Sequence, residues 1–384
     1  MANEWKEYSV EEFAEVIGGG TPSTNEEKNF GGNIPWITPK DLSTHGFRYI
    51  VRGERNITKL GLNASNATLL PTGAVLLSSR APVGYLAIAS NSVTTNQGFK
   101  SLIVRDGFDN EFVYYLLKSN VEYLKSHSSG TTFGELSGGT LKRLKFSIPP
   151  FPEQHAIAGI LGALDDKIEV NRRMNATLES MARAVFRQWF VENEEVINWE
   201  EKSLDEIASF LNGLALQKFP PQGNKFLPVI KIAQLRKNDT EGADKASTNI
   251  PPQYIIEDGD ILFSWSGSLV VVAWCGGKGA LNQHLFKVTS EKYPKWFYYF
   301  WTKHHLPEFQ EIAAGKATTM GHIQRHHLSA AKVLVPDDDR LQEMDKFISP
   351  LLDKIITNNL ESRTLARIRD SLLPKLMKGE ARVK

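Results

Sequence analysis

The chain has 384 residues, a formal net charge of +1, 41% hydrophobic residues and 23% charged residues, the profile of an ordinary soluble protein with room for two or three cores. A single cysteine, Cys275, excludes a disulfide framework, and no stretch approaches the roughly 18 apolar residues of a membrane span or the apolar run of a signal peptide. The expectation is a reducing, cytoplasmic setting without a membrane partner, and the near-neutral charge gives no global sign of nucleic acid.

In chain order, a short amphipathic stretch from Val10 to Ile17 leads into Gly18-Gly19-Gly20-Thr21-Pro22-Ser23. Three glycines could cradle a phosphate, but no strand-then-helix context with a Lys completes a P-loop, so the reading is a turn. Aliphatic and β-branched runs bounded by Pro, Gly and Ser predict strands at Ile34–Ile37, Ala74–Ser78, Leu86–Ala89 and Ser101–Val104, with a short helix at Phe112–Leu117.

After Pro149-Pro150-Phe151-Pro152 the period changes. Steps of four and three pick out Ile157, Leu161, Leu164, Ile168, Asn171, Asn175, Leu178, Ala182, Val185 and Trp189, a coiled-coil seam, with Glu153 at the helix's positive end. A polar linker at Glu192-Asn193-Glu194-Glu195 follows. Strands are then expected at Tyr254–Ile256, Ile261–Ser264, Leu269–Trp274 and Leu285–Val288, with a short helix at Trp296–Trp301. Finally the seam returns 187 positions on, as Met344, Ile348, Leu351, Ile355, Asn358, Ser362, Leu365, Arg369, Leu372 and Leu376. Pro350 stands where the first copy has Ala163 and predicts a kink or a later start, and Pro374 predicts a bent end.

The repeat extends beyond the helices. Trp5-Lys6-Glu7-Tyr8-Ser9 aligns with Trp199-Glu200-Glu201-Lys202-Ser203 at an offset of 194, while Gly73–Ser78 and Asn96-Gln97 align with Gly259–Ser264 and Asn282-Gln283 at 186. A drifting offset marks loops, and a constant one marks packed structure. The fold class is therefore α+β: two mixed α/β domains in tandem repeat, residues 1–150 and 191–336, with long helices in residues 151–190 and 337–384. Two copies of one helix can pair as an antiparallel coiled coil with pseudo-two-fold symmetry. Asn171 and Asn358 then either form a buried polar pair that penalises slipped registers or face solvent at a break in packing.

Gly73–Gly84, Thr95-Asn96-Gln97-Gly98-Phe99, Ile148-Pro149-Pro150 and Leu164-Asp165-Asp166-Lys167-Ile168, within this architecture, resemble the specificity subunit of type I restriction–modification enzymes across essentially the full chain. The resemblance implies two target-recognition domains, each reading one part of an interrupted double-stranded DNA sequence, and helices that act as spacer and dock two modification (methyltransferase) subunits. It implies no catalysis and no cofactor in this chain; S-adenosylmethionine, ATP and Mg belong to the modification and restriction subunits. The second half departs from the pattern, with Ser264-Trp265-Ser266-Gly267 in place of Ser78-Ser79-Arg80-Ala81.

Polar side chains at strand ends and in glycine-rich loops are the candidate DNA contacts, since Arg can read guanine and Asn or Gln adenine, and hydroxyls and Lys can meet phosphate. These are Ser79, Arg80, Asn96, Gln97, Thr131, Thr132 and Lys142 in the first domain. In the second they are Trp265, Ser266, Asn282, Gln283, Thr318, Thr319, His322 and Arg325. Turn capping by the same Asn and hydroxyl groups is the competing explanation. Among other functions, a coiled-coil scaffold with ligand-binding globules is the main alternative. A self-contained methyltransferase or nuclease is weaker, because Asn249-Ile250-Pro251-Pro252-Gln253-Tyr254 interrupts the Asn-Pro-Pro-Tyr pattern and Pro336-Asp337-Asp338-Asp339 is explained by helix capping. His304-His305 and His326-His327 lack ligand spacing for a metal.

Overall fold

The computed structural model describes residues 5–129, 134–193, 199–315 and 321–383. It forms two compact units, Met1–Glu169 with Leu365–Lys384, and Val170–Thr364.

The first unit opens with β1 (Lys6–Ser9), α1 (Val10–Phe13) and β2 (Ala14–Gly18). The amphipathic stretch from Val10 is thus two elements. Glu12 accepts from the Ser9 backbone and hydroxyl, which starts one helical turn with Val10 and Phe13 on its buried face, and the chain is extended again at Ala14. Next come β3 (Phe30–Ile37), α2 (Pro39–Thr44), β4 (Tyr49–Ile50), β5 (Arg55–Ile57), α3 (Lys59–Asn63), β6 (Val75–Ser79), β7 (Val83–Ala89), β8 (Thr94–Thr95) and β9 (Lys100–Val104). The globular part closes with α4 (Asn110–Ser119), α5 (Val121–Ser126), α6 (Gly138–Arg143) and β10 (Lys145–Ile148). The sheets run β2-β9-β6-β7-β4 and β5-β3-β8, with β1 paired to β10. Pairing is antiparallel except β3 with β8 and β4 with β7. Val75, Leu77, Leu102, Phe112 and Tyr115 form the main core between sheet and helix, and Ile157, Leu161, Leu373 and Leu376 of the long helices complete it.

The second unit holds β11 (Glu200–Ser203), α8 (Leu204–Ile207), β12 (Ser209–Asn212), β13 (Leu227–Ile230), α9 (Ile232–Lys237), β14 (Lys245–Ala246), β15 (Ile255–Ile256), β16 (Ile261–Ser264), β17 (Val271–Ala273), β18 (Gly279–Leu281), β19 (Leu285–Thr289), α10 (Lys295–Ala314), α11 (Arg325–Ala330) and β20 (Lys332–Val335). Its order β12-β19-β16-β17 matches β2-β9-β6-β7, its ribbon β11-β20 matches β1-β10, and its parallel pair β13-β18 matches β3-β8. The helix expected at Trp296–Trp301 is not short: α10 has 20 residues and continues through Pro307, because Phe309 and Ala313 beyond it are buried.

Two 40-residue helices run through both units: α7 (Phe151–Phe190), which follows β10, and α12 (Asp338–Met377), which follows β20. Asp337 caps α12, its carboxylate accepting from the Arg340 amide at 2.8 Å. A kink or a later start is expected from Pro350 and a bent end from Pro374; α12 starts at Asp338, which rules out the later start, and its helical span continues through both prolines. Each proline removes one backbone hydrogen bond on an exposed face, while Ile348, Leu352, Leu373 and Leu376 on either side are buried.

Within each unit the helices pair antiparallel. In the first, Glu153 meets Arg382 and Asp165 meets Arg369, and in the second, Asn171 meets Glu361 and Trp189 meets Phe347. Of the seam, Ile157, Leu161, Asn171, Ile348, Ile355 and Asn358 are buried, while Leu164, Ile168, Leu178, Leu351, Leu365 and Leu372 are partly buried.

Candidate nucleic-acid interface

In the first unit, the end of β6, the turn after β8 and the segment before α6 converge. The Ser79 amide donates to the Gly98 carbonyl (2.7 Å), and the Ser79 carbonyl accepts from Leu136 (2.9 Å). From the end of β2, Gly19 donates to Phe99 (3.4 Å) and Gly20 to Thr95 (2.9 Å). A Cβ on Gly19 would lie 1.9 Å from the Asn96 carbonyl oxygen, so only glycine fits. The triple glycine is therefore a place of close backbone approach as well as a turn.

The second unit repeats these four bonds. Trp265 donates to His284 (3.3 Å), Ile323 to Trp265 (3.0 Å), Gly213 to Leu285 (3.0 Å) and Leu214 to Leu281 (3.0 Å). A Cβ on Gly213 would lie 2.2 Å from the Asn282 carbonyl oxygen. One backbone frame is built twice.

The side chains on that frame differ. In the first unit Arg80 is half-exposed and pairs with Glu135 at 3.8 Å, Gln97 is exposed and accepts from Thr21, and Lys142 is exposed on α6. Lys100 lies beside Gly138 at the start of α6. In the second unit Trp265 packs against His284, Phe286 and His322. Gln283 donates to His284 at 3.3 Å. Arg325, exposed on α11, stands over the Phe286 ring and donates to the Phe210 carbonyl.

Three of the expected contacts are buried and hydrogen-bonded within the loops. Ser79 is fully buried and its hydroxyl donates to Gly98, Ser266 is 3% exposed and bonded to His284, and Asn282 is 6% exposed with its side chain accepting from the His284 amide. These groups help to build the loops. Asn96 likewise closes its turn by accepting from Gly98 at 2.9 Å, although it is only partly buried. Thr131, Thr132, Thr318 and Thr319 lie outside the described residues. Sequence reasoning missed Lys100, Asn212, His284 and Phe286. Carrying the 186-residue offset past Asn96 would have paired Gly98 with His284 and Lys100 with Phe286.

Charge and amides fix the helices inside each unit. Arg48, with a side chain 4% exposed, bonds Tyr115 (3.1 Å) and Asp166 (2.7 Å) and pairs with Glu111. Burial opposes ionisation of Asp165, but Lys118 and Arg369 outweigh it and hold its carboxyl below the usual range. In the second unit Arg363 forms a fork with both oxygens of Asp258 (2.7 Å each). Asn171 donates to Glu361 (2.8 Å), Asn358 to Asn175 (2.8 Å) and Asn175 to Asn359 (2.8 Å), so the two mid-seam asparagines are buried in an amide node. Burial also opposes ionisation of Glu179, which Lys303 and Arg183 nevertheless keep below its ordinary value. Cys275 is buried, and burial pushes its thiol up to about 11. Among the described residues no cluster of His, Cys, Asp and Glu could hold a metal, and no helix is long and apolar enough to cross a membrane.

Two α+β units with one backbone frame, unlike loop side chains and two shared long helices define a tandem recognition protein. The family model for the type I restriction modification DNA specificity domain matches residues 2–180 and again 197–368, and the chain belongs to that family. It is 35% identical over 409 residues to the type I restriction enzyme MjaIX specificity subunit of Methanocaldococcus jannaschii, covering 100% of this chain and 95% of the relative. It is 21% identical to the HindI specificity subunit of Haemophilus influenzae, covering 98% and 100%. The fold matches the crystal structure of a type I restriction–modification S subunit from M. genitalium with a TM-score of 0.61 at 18% identity, covering 97% and 96%. The chain is thus a specificity subunit, the component that chooses sequence and not the one that carries out chemistry, and the scaffold and self-contained enzyme alternatives are not favoured.

Proposed function

We propose that this chain selects an interrupted, two-part sequence in double-stranded DNA, with the loop cluster of each unit reading one part. Residues 1–150 and 191–336 are the recognition domains, and residues 151–190 and 337–384 are the spacer helices with the seam between them. Arg80, Gln97, Lys100 and Lys142 face DNA in the first domain, and Trp265, Gln283, His322 and Arg325 in the second. The observation that carries this reading is the repeated four-bond frame with different side chains on it, since one frame with two side-chain sets suits two different half-sites.

Two modification subunits and restriction subunits assemble on the chain in the cytoplasm. S-adenosylmethionine, ATP and Mg are used by those partners. A good bidentate base contact contributes ~1–3 kcal/mol of discrimination, so two linked domains reach a specificity that one small domain does not.

The test is long-read detection of methylated adenines in cells expressing this chain with its modification partner, beside cells expressing the partner alone. A single interrupted motif that depends on this chain is expected. No chain-dependent motif from an assembled, cofactor-competent complex would overturn the proposal.

A further inference from the structure

We propose that Trp265 sets the preference of the second half-site by apolar contact with the 5-methyl group of a thymine, an inference that rests on the DNA reading assigned to its loop cluster. Trp265 occupies the place that buried Ser79 has in the first unit, yet its indole is only partly buried. The indole N–H is committed, donating to the Asn212 side-chain oxygen at 2.9 Å. No hydrogen bond is left for a base edge. The ring is tilted against His284 (5.8 Å) and Phe286 (6.0 Å), and His322 meets it edge-on at 6.2 Å.

These contacts fix the ring without covering it, and what it still offers is carbon. In the major groove the apolar feature of a base pair is the thymine methyl. Among the described residues of the first unit, this point holds buried Ser79 and, next to it, Arg80 paired with Glu135.

The experiment uses the complete complex and the motif that its methylation defines. Each thymine of the motif is replaced singly by deoxyuridine, and binding is measured for the wild type, Trp265→Ala and Trp265→Phe. Removing one buried methyl group corresponds to about a four-fold change in affinity. The expected result is one thymine, in one half-motif, whose replacement weakens the wild type about four-fold, weakens Trp265→Phe measurably and leaves Trp265→Ala unchanged. Amide hydrogen exchange in the second unit that matches the wild type outside the loop cluster shows that Trp265→Ala is folded there.

Equal sensitivity of the wild type and Trp265→Ala to every replacement would overturn the proposal. So would a wild type indifferent to every replacement, a result that needs no variant. A wild-type complex with no motif at all would instead sink the underlying DNA reading, and the two failures are distinct.

Discussion

The first unit grips its stretch of the long helices with charge, through Arg48, Asp165, Asp166 and Arg369, whereas the second adds a buried amide node to its ion pairs, Arg363–Asp258 and Lys303–Glu179. The loop clusters differ too: the first unit's carries the ion pair of Arg80 and Glu135, and the second unit's carries Trp265 packed with histidines. Backbone hydrogen bonds and two glycines are what the units share. The frame is therefore fixed by main-chain geometry, and the side chains on it are exchangeable.

The strongest way to break this comparison is to attack the shared frame. Gly19→Ala and Gly213→Ala should each cost about 3 kcal/mol or more, because the added carbon meets backbone that cannot rotate away. Amide hydrogen exchange should report the loss in the mutated unit, with matched effects for the two glycines. Unequal effects would mean that the frames are not equivalent. Next, Arg48→Ala should destabilise the first unit by about 3 kcal/mol, since it strips a buried cation from Glu111, Asp166 and Tyr115, and exchange in the second unit should not change.

Asn171→Ala should cost about 1–3 kcal/mol by breaking the amide node, while the double change of Asn171 and Asn358 to Leu should recover much of that loss, as judged by denaturant unfolding. Acid sharpens the contrast less. The folded-state values of Asp165 and Glu179 are lowered, so their stabilisation is present above the ordinary carboxylate values of 3.8 and 4.5 and is lost as pH falls through the lower folded values. Both units should loosen together in an acid titration followed by hydrogen exchange. The smallest effect is expected from Arg80→Ala, which should reduce the salt slope of DNA binding by about one contact.

The repeat and the helix seam were legible in the sequence because a fixed offset and a period of four and three are arithmetic properties of the chain. Loop side chains were less so. Ser79 and Arg80 are adjacent polar residues in the sequence, and only the bond from Ser79 to Gly98 turns the first inward. Pro350 does not delay the helix, because a local rule about proline says nothing of Ile348 and Leu352 packing on either side of it. The amide node was half visible: Asn171 and Asn358 stood out in the seam, but Asn359 lies outside the seam's spacing and is recruited by the partner helix.

The lone thiol has a practical consequence. Cys275 lies in the second unit, and the first unit has no cysteine. Its side chain is buried and its thiol is held well above neutral pH, so a thiol reagent reaches it only when that part of the fold opens. The rate of alkylation of the unmodified protein is thus a clock for opening of the second unit alone, available without introducing any label.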